Sequence, residues 1–297
     1  LKQVYEFGLL EDFDHLYRYA NLLSLLDGSK AERVVGGLTE ITPGRPTIFE
    51  HRDPRDEIRR PMTSLAADPQ SILNALTVMS AEQQTMNWYM NIGNRFVEPL
   101  ARGLYLEIAE IEEQHVSHYE SILDPAATWL TNLVFHEYNE CWLYYSFMQE
   151  EPDPRVKAIY ELHLNMEIEH LRIACEMMRQ VEGRDPEALL PKAIERTMSF
   201  RENKAYVRQV LESQVELTSR ESEFLPIQEL DPQHRYFAYQ AAVNQGGVPS
   251  EDVIARARSE LGEDYRLETE GPNPVPGLVR ERDRNGASTA YAEKVAA

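Results

Sequence analysis

The stretch "EIEEQHVSHYE", residues 110–120, places four acids and two histidines in a pattern that predicts one helix. Residues three apart on a helix project from nearly the same face, so Glu112 and His115 point in one direction. Charged groups are rarely buried unless they are paired or bound to a metal. The stretch therefore predicts an inward-facing helix whose Glu-x-x-His pair meets other charged groups or a cation.

An internal repeat supplies such groups. A shift of 55 positions aligns residues 69–123 with residues 124–178, and it pairs two Glu-x-x-His motifs. In each half, another Glu precedes the motif by 30 positions. The shift relates Glu82 to Glu137, Glu112 to Glu167 and His115 to His170. One helical hairpin therefore resembles the next, and both carry the same three polar residues.

Proline and glycine breaks divide this region into four long helices. We predict them at residues 69–93, 99–123, 125–150 and 154–182. Asp124 is the expected N-cap of the third helix, because Pro125 suits a first helical position.

Around the four helices the sequence predicts three further parts. Residues 1–68 form an N-terminal helix, ending at Gly28, and an irregular arm rich in Pro, Gly and charge. Residues 69–183 form the four-helix part. Residues 184–268 form a helical extension, and residues 269–297 form a tail. Within the extension, helices are expected at 186–198, at 200–220 and from Ser250 as the cap.

Composition excludes several classes of function. The chain has 30 Lys and Arg against 50 Asp and Glu, a net charge of -20, which would repel nucleic acid and anionic membranes. Its two cysteines form no CxxC pair, so a rubredoxin-type iron site is excluded. No run of about 18 apolar residues predicts a membrane span. The first residues lack the features of a signal peptide, so a cytoplasmic location is expected.

The repeated motifs predict a site for two metal ions. Together they offer four carboxylates and two imidazoles, and four carboxylates would repel one another without cations. Two divalent ions remove that repulsion, because carboxylates can bridge them and each imidazole can cap one. The mixed oxygen and nitrogen donors suit iron or manganese.

This pattern resembles the ferritin-like di-metal carboxylate superfamily, which places a Glu on each of two helices and Glu-x-x-His on the other two. Rubrerythrins, manganese catalases and di-iron oxygenases belong to it. The resemblance covers residues 69–183. It implies an all-α, ferritin-like four-helix bundle with extra N- and C-terminal helices. It also implies two iron ions, or alternatively manganese or a mixed manganese–iron pair, held by Glu82, Glu112, His115, Glu137, Glu167 and His170.

Further residues lie on the same helix faces. Glu140 follows Glu137 by three positions, as in the Glu-x-x-Glu of rubrerythrins, and is a candidate ligand or neighbour of the ligands. His163 completes a His-x-x-x-Glu-x-x-His similar to that of aminobenzoate N-oxygenases, whose extra histidine is a ligand. Because the repeat pairs His163 with an isoleucine, we predict two unequal metal positions. Tyr89 and Tyr144 follow the first-helix acids by seven positions and are core residues or neighbours of the metals.

The link between the two hairpins is short. Only "LDP", residues 123–125, separates the second predicted helix from the third. At about 3.3 Å per residue, it cannot cross a bundle of about 35 Å. The helices therefore run up-down-up-down within one chain, or two chains exchange hairpins in a homodimer, which is our prediction.

The leading prediction for function is a di-iron oxygenase or oxidase that activates dioxygen. The alternatives are a peroxide-scavenging protein, similar to manganese catalases or rubrerythrins, and an iron-oxidising or iron-storing protein. The small-molecule substrate and the catalytic residues are not indicated by any motif.

Overall fold

The computed structural model of the chain describes residues 1–35, 38–45, 53–56, 59–194 and 196–262. Within these residues the chain is mostly helical, which confirms the predicted class at that level. The α-helices are α1 (Lys2–Asp27), α2 (Glu32–Val35), α3 (Pro69–Gly93), α4 (Pro99–Glu120), α5 (Trp129–Glu150), α6 (Pro154–Glu182), α7 (Lys204–Gln214), α8 (Arg235–Val243) and α9 (Pro249–Leu261). Strands β1 (Leu217–Arg220) and β2 (Glu223–Pro226) pair antiparallel, with Leu217 opposite Pro226.

The predicted helices of the repeat are confirmed, and two boundaries differ: α4 ends at Glu120 rather than at residue 123, and α5 starts later than predicted. The third helix, α5, begins at Trp129 rather than at Pro125, and its N-cap is Thr128, whose side chain accepts from the backbone N–H of Thr131. Asp124 has a different partner. Its carboxylate accepts from the backbone N–H of Ser64 at 2.7 Å and from the Ser64 hydroxyl at 2.6 Å. Its other carboxylate oxygen accepts from the backbone N–H of Ala126 at 2.9 Å, so Asp124 caps a turn, and the helix starts at the next capping residue, Thr128.

The extension is less helical than predicted. Among the described residues of 186–198, which omit 195, only a short 3-10 turn, Pro186–Ala188, forms, and α7 ends before a β-hairpin. Phe224 of that hairpin packs on Phe7 of α1, with ring centroids 4.5 Å apart. In this segment, tertiary packing therefore favours a β-hairpin over the helix that the sequence pattern predicts. The predicted tail, residues 269–297, lies outside the described residues.

The chain forms two compact units. The described parts of Leu1–Ile58, Glu82–Val116 and Glu202–Ala297 form the first, and Arg59–Ala81 with Ser117–Arg201 form the second. Helices α3 and α4 each contribute to both units. The predicted division of the sequence at residues 68, 183 and 268 stays a prediction.

Helix α1 lies at the centre of the first unit. Leu10 packs against Val207 and Leu211 of α7, and Leu22 packs against residues of α4 and α9. Ser250, the predicted cap of α9, follows the actual cap Val248, and its backbone N–H donates to the carboxylate of Glu107 at 2.6 Å. Burial raises the pKa of Glu107 to about 8. The hydrogen bond of Ser250 thus joins α9 to α4, and the packing of Leu22 places α1 beside both helices.

The second unit is built around the hairpin of α5 and α6. Ile72 at the start of α3 packs with Val134 of α5 and Met178 of α6. The Thr77 hydroxyl donates to the Asn139 side-chain oxygen at 3.0 Å. None of the described helices has both the length and the apolar character needed to cross a membrane.

Candidate metal centre

Three helices of the first unit bring together a group of potential metal ligands. Asp12 comes from α1, Glu82 from α3, and Glu112 and His115 from α4. One ligand atom from each lies within 4.8 Å of the others. All are buried except Asp12, whose side chain is 46% exposed. The predicted ligands of the first hairpin therefore meet, and an unpredicted acid joins them. We call this group the α1–α3–α4 centre.

His115 is oriented by contacts on both ring nitrogens. Its Nδ1 lies 3.1 Å from Glu112 Oε2 and 3.6 Å from Glu82 Oε2. Its Nε2 lies 2.6 Å from Glu11 Oε2. The other Glu11 oxygen accepts from Arg45 Nε at 2.9 Å. A carboxylate that holds the far nitrogen of an imidazole is the arrangement that orients histidine ligands in metal sites.

Replacing Arg45 by Ala is expected to weaken metal binding at this centre. Arg45 lies over the Phe7 ring, 4.4 Å from its centroid, and donates to Glu11. Its loss removes a hydrogen bond that positions Glu11, and Glu11 in turn positions His115. Loss of such an outer partner typically costs about 10–100-fold in metal affinity. The measurement is Mn²⁺ titration of EDTA-treated protein. All variants carry His170→Ala, which disables the other candidate metal group, so that only binding at the α1–α3–α4 centre is measured. Arg55→Ala is the matched control, because the Arg55 side chain is 72% exposed and pairs with Asp53. An unchanged affinity in Arg45→Ala would contradict the assigned role.

His15 of α1 completes a second half of the centre. Its Nδ1 lies 3.2 Å from Glu112 Oε1, whereas the other oxygen of Glu112 faces His115. The two imidazole rings stack at 5.9 Å with an angle of 25°. Asp12 Oδ1 is nearly equidistant from the Nδ1 atoms, at 3.9 Å from His15 and 3.8 Å from His115. His15 Nε2 is buried and has no hydrogen-bond partner among the described residues. Two carboxylates thus lie between two imidazoles.

The contribution of α1 was missed by the sequence analysis, although a signal was present. Asp12 and His15 form Asp-x-x-His, the same carboxylate and histidine spacing as Glu112 and His115. A search restricted to Glu-x-x-His, and to a repeat starting at residue 69, passes over it.

Burial and neighbouring charge shift the acids of the centre in opposite directions. Burial raises the pKa of Glu82 to about 7, although His115 lowers it. The pKa of Asp12 also rises well above its usual value, because the carboxylate oxygen that faces the imidazoles is desolvated, although the side chain is partly exposed, and because of the charge of Glu82. Glu112 is different: burial acts to raise its pKa, but His15 and His115 outweigh burial and lower it. The centre therefore combines one acid whose ionised form is favoured, Glu112, with two whose ionised form is disfavoured, Glu82 and Asp12.

Tyr89 belongs to a cluster of tyrosines beside the centre. Its ring lies 5.1 Å from that of Tyr19 on α1 and 5.7 Å from that of Tyr105 on α4. The Tyr19 hydroxyl is buried without a partner among the described residues. Burial raises the pKa of Tyr89, and the charge of Glu112 raises it further. Burial also raises the pKa values of Tyr19 and Tyr105, so the neutral phenol form is favoured throughout the cluster.

The second unit contains a smaller group with the predicted ligands of the second hairpin. Glu137, Glu167 and His170 form it, and we call it the α5–α6 triad. His170 Nδ1 lies 2.9 Å from Glu167 Oε2 and 3.9 Å from Glu137 Oε2. The His170 side chain is 48% exposed, and those of Glu137 and Glu167 are about 15% exposed. The triad is therefore an open group of two carboxylates and one imidazole.

The remaining candidates lie beside the triad but outside it. His163 contacts the Tyr144 ring edge-on, with centroids 5.1 Å apart. Burial raises the pKa of Glu140, and the charges of Glu167 and Glu137 add to that effect. A ligand role for His163 or Glu140, and the single metal pair shared by both hairpins, stay predictions.

Comparison with known proteins adds no relative. No protein-family description matches the chain, and no curated protein or solved structure shows significant similarity to it. A buried group of Asp, Glu and His within metal-binding distance, in a mostly helical chain, is compatible with a di-metal site.

Proposed function

We propose that the chain is a non-haem di-iron oxidoreductase that activates dioxygen at the α1–α3–α4 centre. The observation that carries the proposal is the position of Glu112. Its two carboxylate oxygens lie 3.2 Å from His15 Nδ1 and 3.1 Å from His115 Nδ1. A carboxylate in that position can bridge two ions while each imidazole holds one of them.

The surrounding residues fit such a pair of ions. His15 is buried and points its Nδ1 at the carboxylate of Glu112. The pKa values of Glu82 and Asp12 are raised, and a cation bound beside these acids would favour their ionised forms. Oxygen and nitrogen donors of this kind suit iron, and they also suit manganese or a mixed manganese–iron pair.

Each residue has a distinct place in this proposal. Glu82 and His115 would hold one ion and His15 the other, whereas Asp12 is close enough to both imidazoles to serve as a second bridge. Two ferrous ions would together supply electrons to dioxygen. Glu11 keeps His115 oriented. The half-exposed side of Asp12 is where dioxygen and a small organic substrate would approach.

The ferritin-like resemblance supports the same chemistry. In that superfamily, carboxylate-x-x-His motifs on two helices face each other across the metals. In this proposal the first motif is Glu112 and His115 of α4, and the second is the Asp-x-x-His of α1, formed by Asp12 and His15. The four-helix bundle of α3 to α6 is part of the proposal only as an architecture that the resemblance favours.

Oxygen uptake tests the function. Protein loaded with ferrous iron without oxygen, and then mixed with oxygenated buffer, is expected to consume oxygen in proportion to its bound iron pairs. Glu113→Ala is the matched control, because Glu113 is the exposed neighbour of Glu112, and it should behave as the wild type, whereas Glu112→Ala should not consume oxygen. Oxygen release from peroxide would instead indicate a catalase. Accumulation of many irons per chain would indicate storage.

A further inference from the structure

The α5–α6 hairpin presents an uncovered apolar face. Five large apolar side chains of α6 are between 38% and 58% exposed. They are spaced by three, four or seven positions, so they share one side of the helix. These residues are Ile159, Leu162, Met166, Ile173 and Met177. Phe147 of α5 is also exposed, and its ring lies 5.6 Å from that of Tyr160 on α6. Scattered exposed apolar residues are ordinary, but a continuous patch of this kind marks an interaction surface.

The α5–α6 triad lies within this face. His170 follows Met166 by four positions and precedes Ile173 by three, so it projects beside the apolar residues. The triad has two carboxylates and one imidazole, and the imidazole remains 48% exposed. That is half of the donor set that a carboxylate-bridged metal pair uses.

The first unit shows how such a hairpin face is covered. Glu82, Glu112 and His115 are the repeat-related counterparts of the triad, and α1 lies over them with Asp12 and His15. The side chains of Glu82, Glu112 and His115 are at most 8% exposed. The face of this hairpin that carries the ligands is therefore covered by α1.

We propose that the α5–α6 face binds the same face of a second copy of the chain, and that the two triads together hold a second pair of divalent metal ions. Such a homodimer is two-fold symmetric, as most are. Two hairpins would form a four-helix bundle with two copies of each triad residue at its centre. Four carboxylates on two facing surfaces repel one another, and two divalent ions balance their charge. Dimerisation therefore depends on the metal.

The size of the face matches the need of a stable dimer. Helix α5 has 22 residues. A face about 33 Å long and two helices wide, about 20 Å, has a footprint of roughly 660 Å². A standard protein interface buries about 800 Å² per partner. The inference does not rest on the dioxygen chemistry proposed above, because its test measures the mass of the protein and not its activity.

The test is the mass in solution of full-length protein, by sedimentation or light scattering, after EDTA treatment and again after addition of MnCl₂. Wild-type protein is expected to dimerise with Mn²⁺ and to dissociate with EDTA. The double variant Leu162→Glu, Met166→Glu should weaken the dimer by at least about 100-fold, as loss of two central apolar contacts does. His170→Ala should remove the response to Mn²⁺.

Two controls decide the outcome. Ile168→Glu changes an equally exposed apolar residue on the far side of α6, and it should dimerise as the wild type. His115→Ala removes a ligand of the other centre and should keep the response to Mn²⁺. A monomer under all conditions, a dimer that survives the double variant, or a dimer lost in Ile168→Glu would overturn the proposal. Equal losses in His115→Ala and His170→Ala would overturn it in favour of hairpins exchanged between chains.

Discussion

Replacing Glu112 by Ala is expected to empty the α1–α3–α4 centre of metal. Glu112 is the only described residue whose two carboxylate oxygens face both imidazoles, so its loss removes a ligand from both metal positions. Loss of a partner outside the ligand set already costs about 10–100-fold in affinity, and loss of a shared ligand should exceed about 100-fold. Metal analysis after loading with ferrous iron, in a His170→Ala background, measures the effect.

Two companion variants make that result specific. Glu113→Ala removes an exposed acid one position away and should keep the metal content. Glu112→Gln keeps the shape of the side chain but not its charge, and it should lose metal as Glu112→Ala does. Circular dichroism of each variant reports whether the fold is retained. Full metal content in a folded Glu112→Ala protein would show that the centre is assigned to the wrong residues.

Replacing His15 by Ala should halve the metal content of the same centre. His15 is the one imidazole placed against Glu112 Oε1, and its removal takes the nitrogen ligand from one position and leaves the other with His115 and Glu82. Metal analysis should therefore show one ion remaining per centre, and spectra of the remaining ion should lack coupling to a second. His136→Ala is the control, because His136 is an exposed histidine of α5.

The same measurement separates two assignments of the second half of the site. If α1 supplies it, Glu167→Ala leaves the metal of the α1–α3–α4 centre in place while His15→Ala does not. If α6 supplies it, as the ferritin-like resemblance implies, the order of the two variants is reversed.

Most of the helix pattern could be predicted because it depends on local chemistry. Pro99 and Pro154 open helices by their restricted φ angle and missing N–H, and Gly28 ends α1 in the left-handed conformation at φ 65°. The start of α5 could not be predicted in this way. Asp124 does cap a turn, because its carboxylate accepts from the backbone N–H of Ala126, but the same carboxylate is also held by two hydrogen bonds from Ser64, sixty positions earlier, and α5 starts only after Thr128.

In the candidate site, too, some features follow from the local sequence and others depend on long-range packing. The i, i+3 spacing on a helix placed Glu112 beside His115, and Glu167 beside His170, without any knowledge of the fold. Which elements face these pairs is a matter of long-range packing. His115 meets Glu11 across 104 positions of sequence, and no local pattern carries that contact.

The sequence by itself therefore determined the four helices of the repeat, the two Glu-x-x-His motifs and the acids that repeat with them, because backbone geometry acts over three or four residues. The tertiary structure alone decided that α1 covers one hairpin with Asp12 and His15, and that the triad of the other hairpin stays open. The reason is that a buried acid needs a partner, and the partner is chosen by whichever helix packs against it.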